Sequence, residues 1–273
     1  MTEHGDRQSF ANESRRLPMR PERWLLAAML LLALAGCVTS GGNGLAPEKV
    51  NGKNAARIHT ELGQRYLERG QLKLALEKLQ LALNFDDNYA PAHTVIAAVY
   101  ARIGEYDKAE VHYRRAEQLD PKSGDTNNNL GVFLCRIGKV DQALPYFSKA
   151  TKDPFYDTKD IAWSNAGRCV LKKDDYAAAE KDYRKALAIN PKNADALNQM
   201  AMVLLHEGKA FQARAYIQRF DALGHPNPAA LLLGYKIETR LGNSEGAQNY
   251  AKRLLAKFPD SDQAQSIDTK PQS

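Results

Sequence analysis

Six alanines at a nearly fixed interval limit what this chain can fold into. Ala75, Ala109 and Ala143 follow one another every 34 residues, and Ala179, Ala213 and Ala247 do the same. The gap from Ala143 to Ala179 is 36 residues, which puts a two-residue insertion near Thr158 and Lys159, beyond Pro154. Other columns keep this phase. Five residues before each alanine stands Gly70, Gly104, Gly138, Asp174, Gly208 or Gly242. Four residues after stands Leu79, Tyr113, Phe147, Tyr183, Ile217 or Ala251. Twelve residues before stands a small residue in five units: Gly63, Ala97, Gly131, Gly167 and Ala201. Proline follows at Pro121, Pro191 and Pro259. Self-similarity at such a period marks a stacked array in which each unit buries its apolar face against the next.

The spacings read as helix, turn, helix, stop. Glycine supplies the positive φ that ends a first helix. The small residue lets the second helix approach closely, and the aromatic or Leu fills the space beside the contact. Proline cannot continue the second helix. The pattern resembles the tetratricopeptide repeat, whose period is about 34 residues. We expect an all-α, right-handed superhelical solenoid of six repeats, about 12 antiparallel helices. The units are read at 56–89, 90–123, 124–157, 160–193, 194–227 and 228–261. The second matches best, with Ala97, Tyr100, Gly104, Tyr106, Ala109, Tyr113, Ala116 and Pro121. The sixth reads as degenerate, Tyr235 replacing the small residue and Glu238 an apolar one, as expected of a cap with a polar outer face.

Upstream of the repeats, residues 24–35 form an apolar run of 12 residues, preceded by Arg15, Arg16, Arg20 and Arg23. A basic flank, a short apolar core and small residues before a cut site describe a secretory signal. The run is shorter than the roughly 20 residues a spanning helix needs. Leu34-Ala35-Gly36-Cys37 resembles a bacterial lipobox. That resemblance implies removal of residues 1–36 and a diacylglycerol-modified Cys37 as the mature N-terminus. Val38 is not acidic, which in such lipoproteins implies the periplasmic face of the outer membrane. Acyl chains bury at about 0.8 kcal/mol per CH2, so several of them anchor firmly. Residues 37–55, with Gly41, Gly42, Gly44 and Gly52, read as a flexible tether, and residues 262–273 as a polar tail.

The net charge is +6, with acids and bases interspersed. No concentrated basic stripe points to nucleic acid. The six histidines form no metal-spaced pair, and no Gly-x-Ser-x-Gly occurs, so neither a metal, a cofactor nor catalysis is expected. The stretch from Gly131 to Gly138-Lys139 has six residues between its glycines and Val140 where a phosphate loop needs Ser or Thr. Cys135 and Cys169 fall on first helices of neighbouring units, two positions apart in repeat phase. A disulfide across the insertion is compatible with an oxidising compartment, and two buried thiols are the alternative.

First helices line the concave face of such a solenoid. The phase puts Gln64, Leu67, Thr94, Ala98 and Ala101 on this face in the first two units. Asn128, Asn129, Val132, Ser164, Asn165 and Arg168 follow in the middle, then Asn198, Gln199 and Met202 in the fifth unit. The amides suit an extended peptide backbone, and the more apolar start suits an amphipathic helix. Asn165 and Arg168 match a carboxylate clamp only in part.

The lipobox at Cys37, six repeats, Asn127-Asn128-Asn129-Leu130-Gly131, Phe147 with Ala150, and the insertion after Pro154 together resemble the type IV pilus biogenesis and stability lipoproteins, the PilF/PilW-type pilotins. The resemblance covers nearly all of the chain after residue 36. It implies a non-catalytic, lipid-anchored outer-membrane factor. Such a factor binds the type IV pilus secretin, and possible further pilus proteins, and helps the secretin localise and assemble. Rival expectations are a lipoprotein of outer-membrane β-barrel assembly, or a periplasmic scaffold for a cell-wall enzyme.

Overall fold

The structure, a computed structural model, describes residues 52–267. The signal segment, Cys37 and most of the tether lie outside the described residues. Helices pair in sequence order. The pairs are α1 (Gly52–Glu68) with α2 (Leu72–Phe85), α3 (Ala90–Arg102) with α4 (Tyr106–Leu119), and α5 (Gly124–Arg136) with α6 (Val140–Lys152). Then come α7 (Lys159–Val170) with α8 (Tyr176–Ile189), α9 (Ala194–His206) with α10 (Ala210–Asp221), and α11 (Pro228–Arg240) with α12 (Ser244–Lys257). A short α13 (Asp262–Gln265) closes the array. No strand occurs among the described residues, and the fold is an all-α superhelical repeat solenoid.

The turn within every pair is left-handed. Gly70, Gly104, Gly138, Gly208 and Gly242 have φ between 69° and 86°, and Asp174 takes the same role at φ 56°. An L-residue there is strained. In the fourth unit a 3-10 turn (Leu171–Lys173) precedes it, and Asp175 caps α8 by accepting from the Ala178 N–H. The small-residue column explains close pairing: a Cβ on Gly131 would lie 2.9 Å from the Phe147 ring.

The sixth unit corrects the sequence reading. Tyr235 does not replace the small residue, because Gly234 holds that place, and a Cβ on it would lie 2.5 Å from Tyr250. The facing pair keeps the 16-residue spacing of Gly131 and Phe147 but sits one residue earlier relative to the turn. Nor is Glu238 part of a polar outer face. It is 2% exposed, and Arg214 of the fifth unit donates to both its carboxylate oxygens at 2.9 and 2.6 Å. Asn243 adds a third donor at 2.7 Å.

Two boundaries also move. Residues 52–55, read as tether, are the first turn of α1, and Ala55 is buried. Residues 262–265, read as polar tail, form α13, because Ala264 and Ile267 bury against Leu231, Tyr250 and Leu254. This helix covers the apolar end that an open array would leave to solvent. At the insertion, Asp153 accepts from the Gly124 and Phe155 N–H groups at 2.7 and 2.9 Å. Tyr156 is buried under Gly124 and packs with Ala150 and Ala162, so the segment just before the insertion fills the space between the third and fourth units.

Candidate partner-binding groove

Each first helix touches the first helix of the next unit, whereas successive second helices make little or no contact. The array therefore curves with α1, α3, α5, α7, α9 and α11 on its inner side. Side chains that point inward from these helices line a groove, and the sequence-derived candidates divide there by burial.

Gln64 and Arg168 are exposed, while Leu67, Thr94, Ala98, Asn128, Asn129, Val132, Asn165, Asn198, Gln199 and Met202 are half-buried. Ala101 and Ser164 are buried, and of the two only Ser164 borders the cleft in the middle of the groove. Ala101 is buried in the core with Ala97 and Ala109, and Ser164 is 2% exposed and donates to Asn193 at 3.3 Å. The inner face of a stacked helix also packs against the next unit, so phase alone does not separate packed positions such as Ala101 from exposed ones.

The middle of the groove is a polar ladder. Asn165 donates to the Asn128 amide oxygen at 3.0 Å, joining the third and fourth units. The Arg168 guanidinium lies 2.6 Å from Asp195 Oδ2 of the fifth unit. Its alignment falls short of a hydrogen bond, so the contact is an ion pair held by charge. This neutralises the one arginine that could have formed a carboxylate clamp with Asn165. Beside it a cleft of about 360 Å³ is lined by Asp160, Asn165, Arg168, Asn190, Lys192 and Asp195, among others.

Sequence reasoning missed the network beneath that cleft. Asp160 is 7% exposed and accepts from Asn190 and Asn193, each at 2.9 Å. A buried carboxylate needs such donors. The available signal was Asn190-Pro191-Lys192-Asn193, with an amide on either side of the proline stop. Deeper still, the Tyr183 hydroxyl has no hydrogen-bond partner, and burial pushes its pKa up.

Cys135 and Cys169 form a disulfide in the structure, with their Cα atoms 5.7 Å apart. Both are buried, and they join α5 to α7 beneath the groove floor. The Lys172 ammonium donates to the Cys135 and Arg136 carbonyls at 2.8 and 3.3 Å, covering the C-terminal end of α5. Among the described residues no cluster of three or more His, Cys, Asp or Glu is placed to hold a metal ion, and no helix is long and apolar enough to cross a membrane. What the groove can do chemically is donate to, accept from and pack against a polypeptide.

Comparison with known proteins bears on this arrangement. Models described as tetratricopeptide repeat match residues 94–157, 161–193 and 182–215. The type IV pilus assembly protein PilF of Pseudomonas aeruginosa is 31% identical over 241 residues, 88% of this chain and 95% of that protein. An uncharacterised protein of Haemophilus influenzae is 29% identical over 64% of this chain and 96% of its own length. The crystal structure of PilW, described as a widely conserved type IV pilus biogenesis factor, superposes with a TM-score of 0.71 at 32% identity. It covers 77% of this chain and 96% of that one. A solved Pseudomonas aeruginosa PilF also gives 0.71, at 28% identity, covering 78% and 96%.

Proposed function

Because the chain belongs to the PilF/PilW family of tetratricopeptide-repeat proteins, we propose that it serves type IV pilus biogenesis as a lipid-anchored holding factor for the secretin. The supporting observation is the extent of the likeness: it spans nearly all of PilF rather than one repeat that any solenoid would share. The lipid on Cys37 tethers the solenoid to the periplasmic face of the outer membrane. The groove holds secretin protomers while they localise and assemble into the pore. No chemical step is assigned to any residue, and no cofactor or metal takes part.

The groove suits this work physically. Most of its inward residues are small, apolar or amide-bearing, which favours polypeptide over small solutes. Its floor is stiffened by the Cys135–Cys169 bridge, which lowers the ordering cost of binding.

Two measurements test the proposal. A mature chain starting at residue 37 should form a complex with the purified periplasmic region of the secretin in analytical ultracentrifugation. Two independent peaks at concentrations of about ten micromolar would refute direct holding. In cells, Cys37→Ser should leave the solenoid folded but release it from the outer-membrane fraction. Full retention there would remove the lipid from the account.

A further inference from the structure

The corrected phase of the sixth unit exposes a second site. With Gly234 as the small residue, Tyr235 takes the place immediately after it, the place held by Gln64, Ala98, Val132, Arg168 and Met202 in the earlier units. Tyr235, Lys236, Thr239 and Arg240 then form one strip along α11, since residues one turn apart share a helix face. Together with Leu205 from α9 they line an open cleft of about 520 Å³.

In the middle of the groove cations and acids alternate, with Arg168 and Lys192 beside Asp160 and Asp195. Arg168 is neutralised by Asp195. Lys236 and Arg240 are exposed, and neither pairs with an acid among the described residues. They are four residues apart on one face, where like charges repel. Arg240 complements the C-terminal end of the α11 dipole, but Lys236 sits a turn earlier and gains little from it. Glu238, the only acid on α11, is buried and already takes donors from Arg214 and Asn243. The strip thus keeps an uncompensated positive field beside two partly buried apolar side chains, Leu205 and Tyr235.

We propose that this cleft, between the fifth and sixth units, binds an acidic segment of a partner polypeptide that also carries aromatic or aliphatic residues. A carboxylate bridges Lys236 and Arg240, and the neighbouring apolar side chain packs on Tyr235 and Leu205. Charge complementarity selects the segment and speeds its encounter, and the apolar contact holds it. The site does not depend on which pilus protein the groove holds.

The probe is a fluorescein-labelled dodecapeptide in which Asp alternates with Leu and Phe, with an Asn-for-Asp peptide as its control. Fluorescence anisotropy should show the acidic peptide binding about tenfold or more tightly than the control, with affinity falling as salt rises. Lys236→Glu with Arg240→Glu should weaken it by at least about tenfold. Both side chains are exposed, so the fold should persist; Lys236→Gln with Arg240→Gln gives an intermediate loss should charge reversal impair folding. Equal binding of the two peptides, or undiminished binding by the Gln pair, would overturn the site. So would binding to phosphatidylglycerol vesicles through Lys236 and Arg240 with no binding of the acidic peptide.

Discussion

The second and third units meet through Glu110, which accepts from Arg114 in its own helix at 2.7 Å and from Lys139 of the next unit at 2.8 Å. The fourth and fifth units repeat this with Glu180, Arg184 and Lys209 in the same columns. Between the third and fourth units those columns hold Leu144 and Asp175; there Lys173 pairs with Asp141 at 2.8 Å, and the disulfide of Cys135 and Cys169 ties the two first helices together. The fifth and sixth units use a further device, the buried Glu238 with Arg214. The ladder junctions rest mainly on apolar packing, because exposed ion pairs contribute about 0–1 kcal/mol. The middle junction carries an insertion and a left-handed Asp174, and there a covalent link spans 34 residues of sequence. The array is weakest in regularity where it is tied most strongly.

This comparison breaks most readily at the cysteines. Replacing both Cys135 and Cys169 by Ser should cost about 3–4 kcal/mol, the chain-entropy value for a loop of this size. Urea unfolding of the variant against the oxidised chain measures it. An unchanged midpoint would mean that the middle junction needs no tie.

Next in size is Glu238→Ala. It strands Arg214, whose side chain is only 26% exposed, and should cost about 2–4 kcal/mol. Hydrogen exchange should then accelerate in α11 and α12 first. Uniform acceleration across all units would deny that the last junction is separately held.

Asp174→Gly sharpens the contrast from the opposite direction. Relief of the left-handed conformation should stabilise the chain by about 1 kcal/mol. A loss of stability would show that Asp174 does more than fill a turn.

The smallest effect is expected at the ladders. Partial burial raises the Glu110 carboxyl, but donation by Lys139 and Arg114 outweighs it and holds the group below its ordinary value of 4.5. The Arg184 hydrogen bond lowers Glu180 likewise. A depressed carboxyl contributes stability above its unfolded-state value and loses it as pH falls through the folded one. Glu110→Gln should therefore cost less than about 1 kcal/mol at pH 7. The difference from the unaltered chain should shrink as pH falls below the ordinary carboxyl value and vanish below the lowered folded one. A gap that widened in acid would contradict the ladder reading.

Much of this was legible in the chain itself, because a repeat prints its packing rules several times. The glycine column announced the left-handed turns, and Asp174 standing in it announced the exception. Cys135 and Cys169 were legible as neighbours for the same reason. Legibility failed where a unit has a neighbour on one side only. Aligning the sixth unit on Ala247 hid the Gly234–Tyr250 contact, and with it the placement of Tyr235 in the groove. Glu238 looked like surface because one letter does not reveal that Arg214 in the preceding unit reaches it. Ile267 looked like tail because the apolar end it covers belongs to α11 and α12. In the groove, phase identified inward positions but not their partners. Asn128 and Asn165 bond to each other, and Arg168 is held by Asp195.

We propose that this solenoid acts on the pilus secretin at the outer membrane. The most direct measurement deletes the gene and quantifies heat-resistant secretin multimers in outer-membrane fractions by immunoblot, with porin levels and cell-wall products as internal references. The multimers should disappear or shift to the inner membrane while porins and cell wall stay normal, and the wild-type gene should restore them. Unchanged secretin multimers at the outer membrane would contradict it.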